Sequence, residues 1–282
     1  MSNNLYEVQK LHCKYESTNY IALEVDELSI QEGSIVFIVG PSGVGKSTIL
    51  ETLGVMNNTI VPSNDTKLKF QTEGTSEDFL KLWHRKEKMI ADFRKQYMSF
   101  IFQNTNLFTS LSVYENIMLP ALFQGTNYNE TVQKAKEILN SIAKDLKKDK
   151  KIAEISEGGR QRVAFARAMT TQFSVLFADE PTGNLDAANA ENLMTHLQAH
   201  LKEHNQTAVI VTHEMEQALK YADKIVFISK RKFENSDKTY GYIGNDMTYH
   251  RNEKSLQNGS SDGKEWSEED LLTYLKQELI TN

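Results

Sequence analysis

The chain has 282 residues, 32 of them Lys or Arg against 38 Asp or Glu, for a formal net charge of -6. That length allows one large α/β domain, or one domain plus a lobe, with ample core; the acidic balance argues against a dedicated nucleic-acid binder. A single cysteine, Cys13, excludes an internal disulfide framework and fits a reducing compartment.

MSNNLYEVQK, at the start, lacks the apolar stretch of a secretory signal, and no run approaches the roughly 20 apolar residues that span a bilayer. The expectation is a cytoplasmic chain that reaches the inner face of a membrane only through a partner. Along the chain, IVFIV (35–39), MSFIF (98–102), SVLFA (174–178), TAVIV (207–211) and KIVFI (224–228) read as buried strands. Helical patterns lie between several of them: KSTILETLGVM, QRVAFARAM and NAENLMTHLQAHLKEH. Such alternation predicts an α/β fold with a mostly parallel core sheet.

Each run is followed by reactive residues: a glycine loop after 39, Gln103, the pair Asp179 and Glu180, and Thr212 with His213. All emerge at strand C-termini, the edge where open α/β sheets bind ligands. Residues from about 76 to 170 are rich in Lys, Glu, Asn and Leu and read as an inserted α-helical lobe. Past about 230 the chain turns polar and loses its strand-helix rhythm, so 230–265 is expected to be a variable segment. WSEEDLLTYLKQELI then restores order as an amphipathic helix over 266–282, with Ser267 and Asp270 as a capping pair and Leu271, Leu272, Tyr274, Leu275 and Leu279 on one face.

GPSGVGKST (40–48) fits the phosphate-loop pattern directly after a strand and at a helix start. Gly40, Gly43 and Gly45, with Ser42, let the backbone wrap a phosphate; Lys46 reaches the β- and γ-phosphates, and the Ser47 hydroxyl, beside Thr48, holds Mg²⁺. VLFADEPTGNLD (175–186) adds an aspartate suited to supporting the metal, Asp179, and an adjacent Glu180 suited to polarising an attacking water.

In this order the phosphate loop, Gln103, the serine-glycine turn 156–159, the strand ending in Asp179-Glu180, the NLD turn 184–186 and His213 resemble the ATP-binding-cassette ATPases over about residues 5–229. SFIFQNTNLF, LSVYENIMLP and DEPTGNLD look most like the branch with the macrolide-exporter and lipoprotein-release ATPases and the cell-division ATPase FtsE. The resemblance implies ATP and Mg²⁺ as ligands and an antiparallel N-terminal β subdomain. It implies that Tyr15 stacks on adenine, with Tyr20 as the alternative, that Gln103 touches Mg²⁺ and the attacking water, and that His213 contacts the γ-phosphate. Two copies, or this chain and a different ATPase subunit, would pair head to tail. Ser156 and Gly158 would then serve the nucleotide held by the partner's phosphate loop, and Asp186 would cross the interface.

One turn departs from the family. Its Leu-Ser-Gly-Gly-Gln reads Ile155, Ser156, Glu157, Gly158, Gly159 here. The two phosphate donors survive, so Glu157 is expected to project away from the phosphate and to weaken closure by on the order of 1 kcal/mol, offset by Arg160 or Arg162. The implied function is an ATPase that drives an integral membrane permease docked near Gln103–Tyr114, around Phe108, Leu111, Tyr114 and Asn116. The other readings are FtsE-like signalling through an FtsX-like partner and a soluble ATPase acting on nucleic acid or ribosomes. The single phosphate loop and the lack of a basic arm speak against the last.

Overall fold

The computed structural model describes residues 3–234, 236–252, 255–259 and 263–281. They fall into two compact units, one drawn from positions 1–91 and 207–282 and the other from 92–206. The first segment of the chain contributes β1 (Asn4–Cys13), β2 (Leu23–Gln31), β3 (Ile35–Val39), α1 (Lys46–Leu53), β4 (Ile60–Val61), β5 (Lys67–Thr72), β6 (Thr75–Asp78) and α2 (Phe79–Leu82). It ends in α3 (Glu87–Tyr97), which belongs to the second unit from Asp92 on.

β1 pairs antiparallel with β2, β4 and β5, and β5 with β6. Alternation sets which side is core: Leu23, Val25, Leu28 and Ile30 of β2 are buried between partly exposed polar neighbours. β3 differs, because all five of its residues are buried. A strand covered on both faces has no polar side to show, so its sequence is a continuous apolar run.

The second unit holds β7 (Met98–Ile101), α4 (Val113–Gln124), α5 (Tyr128–Ile142), α6 (Glu157–Thr170), β8 (Val175–Asp179) and α7 (Ala187–Glu203). β7 and β8 pair in parallel, Met98 opposite Val175. Helix starts follow side-chain chemistry: Ser112 and Glu115 form a reciprocal capping box on α4, and Asn127, Ser156 and Asp186 cap α5, α6 and α7.

Returning to the first unit, the chain forms β9 (Thr207–Thr212), α8 (Met215–Tyr221) and β10 (Lys224–Phe227). β9 and β10 flank β3 in parallel, as the alternation predicts. The tail corrects the sequence reading. In place of a segment without strand rhythm it forms β11 (Ser229–Lys232), β12 (Thr239–Ile243), β13 (Thr248–Arg251), β14 (Leu256–Asn258) and β15 (Glu265–Trp266) before α9 (Glu268–Thr281). β12 adds in parallel to β2, and β13 adds antiparallel to β10, followed by β14 and β15. These strands are held by backbone pairing to edges already present, so they need little apolar alternation of their own.

α9 starts where expected, with Ser267 Oγ accepting from Asp270 N–H at 3.1 Å. Leu271 and Leu275 are fully buried, Leu272 and Leu279 are half-buried, and Lys276 meets Glu216 of α8 at 2.7 Å. Arg251 joins the same region, donating to the carbonyls of Leu219 and Ala222 and pairing with Glu268 at 2.6 Å.

The tail also touches the phosphate loop. Gly241 of β12 passes so close that a Cβ there would overlap the Val44 carbonyl oxygen and press on Leu23 at 3.0 Å. Gly241→Ala is therefore expected to cost about 1–3 kcal/mol, as overpacking does. Thermal unfolding should show a fall of roughly 2–10 °C, and an unchanged midpoint would mean that residues 40–45 yield freely.

Candidate functional site

In the first unit the phosphate loop runs from the end of β3 into α1. Gly43 and Gly45 hold φ of 72° and 105°, a left-handed backbone that favours glycine. A Cβ on Gly40 would lie 2.6 Å from the Ile228 carbonyl oxygen, so only a residue without a side chain lets the loop close there. Lys46 is buried, with its ammonium folded back over the loop to donate to the carbonyls of Gly40 and Pro41, both at 2.8 Å. α1 receives no side-chain cap from Gly45 and carries no acid in its first turn. Its positive dipole end therefore favours an anion, and the loop fits a triphosphate. Ser42 and Ser47 are exposed beside it, and Thr48 is buried.

Parallel pairing brings His213 to the same edge, because Thr212 of β9 sits opposite Val39 of β3. His213 is exposed just beyond, in a turn in which Glu214 N–H donates to Thr212 Oγ1 at 3.0 Å. Tyr15 is half-buried, its hydroxyl 3.1 Å from Thr48 Oγ1 and 3.0 Å from Glu51 Oε2. Burial is the main reason its phenol is pushed up to about 12. Tyr20 is instead engaged with the tail: its ring meets Phe233 edge-on at 6.2 Å and lies under the Lys238 ammonium at 4.5 Å.

A second set lies in the other unit. β8 delivers Asp179 at its last position, and Glu180 follows with φ of 45°. Holding a non-glycine residue there costs on the order of 1–3 kcal/mol, a strain that tends to cluster at functional sites; Lys10, Val55, Asn106 and Asn205 share the conformation. Gln103, just past β7, donates from Nε2 to Glu180 Oε2 at 3.3 Å. Thus the amide and the candidate base are already joined.

Ser156 caps α6, its Oγ accepting from Gly159 N–H at 3.3 Å. Gly158 packs against the NLD turn, where a Cβ would meet Leu185 Cδ2 at 3.2 Å and the Asn184 carbonyl at 3.4 Å. Asp186 caps α7 through Asn189 N–H at 3.0 Å, a bond that holds its carboxyl below the usual range. The departure at Gly159 has a steric reason, since a Cβ would overlap Ile155 Cγ2.

Glu157 is exposed and lines an open cleft with Gln103, Thr105, Arg160 and Asn184. Of the two arginines expected to offset it, Arg162 does not: its guanidinium grips Asp145 at 2.5 and 2.9 Å. Helical spacing explains this, because positions three apart share a face and positions five apart do not. Arg160 shares the cleft, though its guanidinium also donates to the carbonyls of Ile152 and Ile155.

Asn116 is also corrected. Expected on a docking surface, it is 1 % exposed and organises the preceding loop, accepting from Phe108 N–H and donating to the carbonyls of Phe108 and Ser112. Phe108, by contrast, is 55 % exposed beside an apolar groove lined by Phe100, Phe102, Leu119 and Pro120. Two supports were not legible in advance. Gln161 is fully buried and bonds the Pro181 carbonyl at 2.6 Å, and Arg167 holds the carbonyls of Thr105 and Asn106 at 2.8 Å.

Comparison with known proteins finds matches of both sequence and structure. The profile described as "ABC transporter" matches residues 23–183. The lipoprotein-releasing system ATP-binding protein LolD of Cytophaga hutchinsonii is 36% identical over 206 residues, 73% of this chain and 85% of that one. The macrolide export ATP-binding/permease protein MacB of Mannheimia succiniciproducens is 34% identical over 215 residues, 75% of this chain and 31% of that one, so this chain spans about a third of that relative. Among solved structures, the dimeric post-hydrolysis state of the ATP-binding cassette MJ0796 bound to ADP and Pi is similar with a TM-score of 0.65 and 26% identity, covering 79% of this chain and 93% of that one. The chain belongs to the ABC transporter family, as an ATP-binding cassette.

Proposed function

We propose that this chain is the ATP-hydrolysing subunit of a membrane transporter, closing as a dimer on bound ATP and opening after hydrolysis. The observation that carries the reading is the buried Lys46 ammonium over a glycine loop whose helix has no cap of its own. Similarity to LolD, MacB and a dimeric cassette holding ADP and Pi supports it.

In this reading Lys46 and the loop N–H groups hold the β- and γ-phosphates of ATP, and Tyr15 stacks on the base. Ser47, Gln103 and Asp179 hold Mg²⁺, which when bound neutralises charge on the phosphate oxygens. All three offer the hard oxygen donors that such a cation takes. Glu180 accepts a proton from the attacking water, Gln103 keeps the Glu180 carboxylate oriented, and His213 contacts the γ-phosphate. Ser156 and Gly158 act on the ATP of a partner subunit, and Asp186 lies at the interface. The exposed ring of Phe108 and its groove receive a cytoplasmic segment of the permease.

Removing the base separates binding from chemistry. Glu180→Gln is expected to lower the hydrolysis rate by roughly 10²-fold or more while ATP binding stays within a few-fold, as measured by phosphate release and by nucleotide titration. A variant that hydrolyses at the parent rate would take Glu180 out of the base role.

Glu157 is expected to act only on closure. Replacing it in Glu157→Gly removes a carboxylate from the dimer surface and should tighten ATP-dependent dimerisation roughly fivefold, the equivalent of about 1 kcal/mol. Analytical ultracentrifugation with the Glu180→Gln background reads this directly. An unchanged dimer constant would end the electrostatic account of the departure.

A further inference from the structure

The segment KDLKKDKK, residues 144–151, places five lysines in eight positions of a chain whose net charge is negative. Lys144, Lys147, Lys148, Lys150 and Lys151 are all exposed. Of its two acids, Asp145 is already gripped by Arg162, which leaves Asp149 within the run. Glu115 on the facing segment accepts from Ser112 N–H at 2.7 Å, and Glu154 follows the run. The hydrogen bond leaves Glu115 charged, yet the five lysines still outnumber Asp149, Glu115 and Glu154, so the local excess is positive.

This is no loose loop. Val113 N–H donates to the Lys150 carbonyl at 2.9 Å, Tyr114 N–H to Lys148 at 3.1 Å, and Ile152 N–H to Leu111 at 3.1 Å, with Ser112 bridging Lys151. Backbone pairing thus fixes a ledge of lysines alongside 109–114, and the Lys148 ammonium lies 5.7 Å over the Tyr114 ring. Exposed Phe108 borders the same strip.

We infer that this ledge binds the anionic phospholipid headgroups of the bilayer beside the permease. Three observations favour a lipid surface. The charges are all lysine, compact point charges that respond to a diffuse negative potential, whereas paired recognition of a carboxylate favours the arginine fork. They are all exposed along one segment whose backbone is paired to 109–114. They are accompanied by aromatic rings, which gather at membrane interfaces. No helix among the described residues is long and apolar enough to cross a membrane, so the ledge would supply a second hold besides the permease itself. The inference rests on the reading that the Phe108–Tyr114 strip faces a membrane protein.

The test is flotation of the purified full chain with vesicles of phosphatidylcholine alone or doped with phosphatidylglycerol, at low and at high salt. The wild-type protein should float only with the anionic vesicles and should be released by salt. Each lysine near such a surface contributes roughly fivefold to partitioning. A chain carrying Lys147→Gln, Lys148→Gln, Lys150→Gln and Lys151→Gln should therefore partition several hundredfold less, with an unchanged ATPase rate and melting temperature. Equal flotation of the variant, or equal binding to neutral vesicles, overturns the proposal. So does a requirement for these lysines that appears only when a permease is present in neutral lipid, which would assign the ledge to an acidic protein segment. Permease recovery in detergent is scored separately: its failure with intact, lysine-dependent flotation counts against the transporter reading and leaves the lipid ledge standing.

Discussion

The phosphate loop of the first unit turns on a buried cation, the Lys46 ammonium. Placing the Lys46 ammonium away from water is unfavourable unless polar atoms receive it, and the carbonyls of Gly40 and Pro41 do so from the loop that the lysine itself closes. That arrangement dictates the rest locally. The loop must curl tightly, so Gly43 and Gly45 adopt positive φ; it must lie against the chain after β10, so Gly40 tolerates no Cβ. A rigid platform is then needed beneath it. The fully buried β3, clamped in parallel by β9 and β10, supplies that platform.

The tail takes part in the same support. β12 joins the edge of β2 and brings Gly241 against Val44, while α9 rests on α8, the helix directly after His213. Residues outside the family resemblance therefore brace both the phosphate loop and the histidine turn. An antiparallel extension from β10 through β15 also covers an edge that would otherwise expose unpaired backbone groups.

In the second unit the chemistry is set by turns. Glu180 sits in a strained conformation at the end of β8, bonded to Gln103, and α6 is tied to the following turn by buried Gln161. Ser156, Gly158 and Asp186 gather where the capped starts of α6 and α7 meet. Glu157 is accommodated because the first helical position points it into an open cleft rather than into packed protein. Its neighbour Gly159 could not be a larger residue with Ile155 where it is.

Much of this was legible in the amino-acid order because the signals are local. An apolar run followed by a glycine loop, or by Asp-Glu, requires only nearest-neighbour chemistry, and β3, β7, β8, β9 and β10 appear within a residue or so of where those runs lie. The start of α9 was equally readable from Ser267 and Asp270, since a cap is a contact across three residues. Tertiary structure decided what depends on distant partners. The tail strands form because β2 and β10 offer edges; Arg162 turns to Asp145, seventeen residues away; Asn116 is drawn inside by the Phe108 loop. None of these leaves a periodic or spacing signal, because the energy that selects them comes from backbone pairing and desolvation that exist only once the chain has folded.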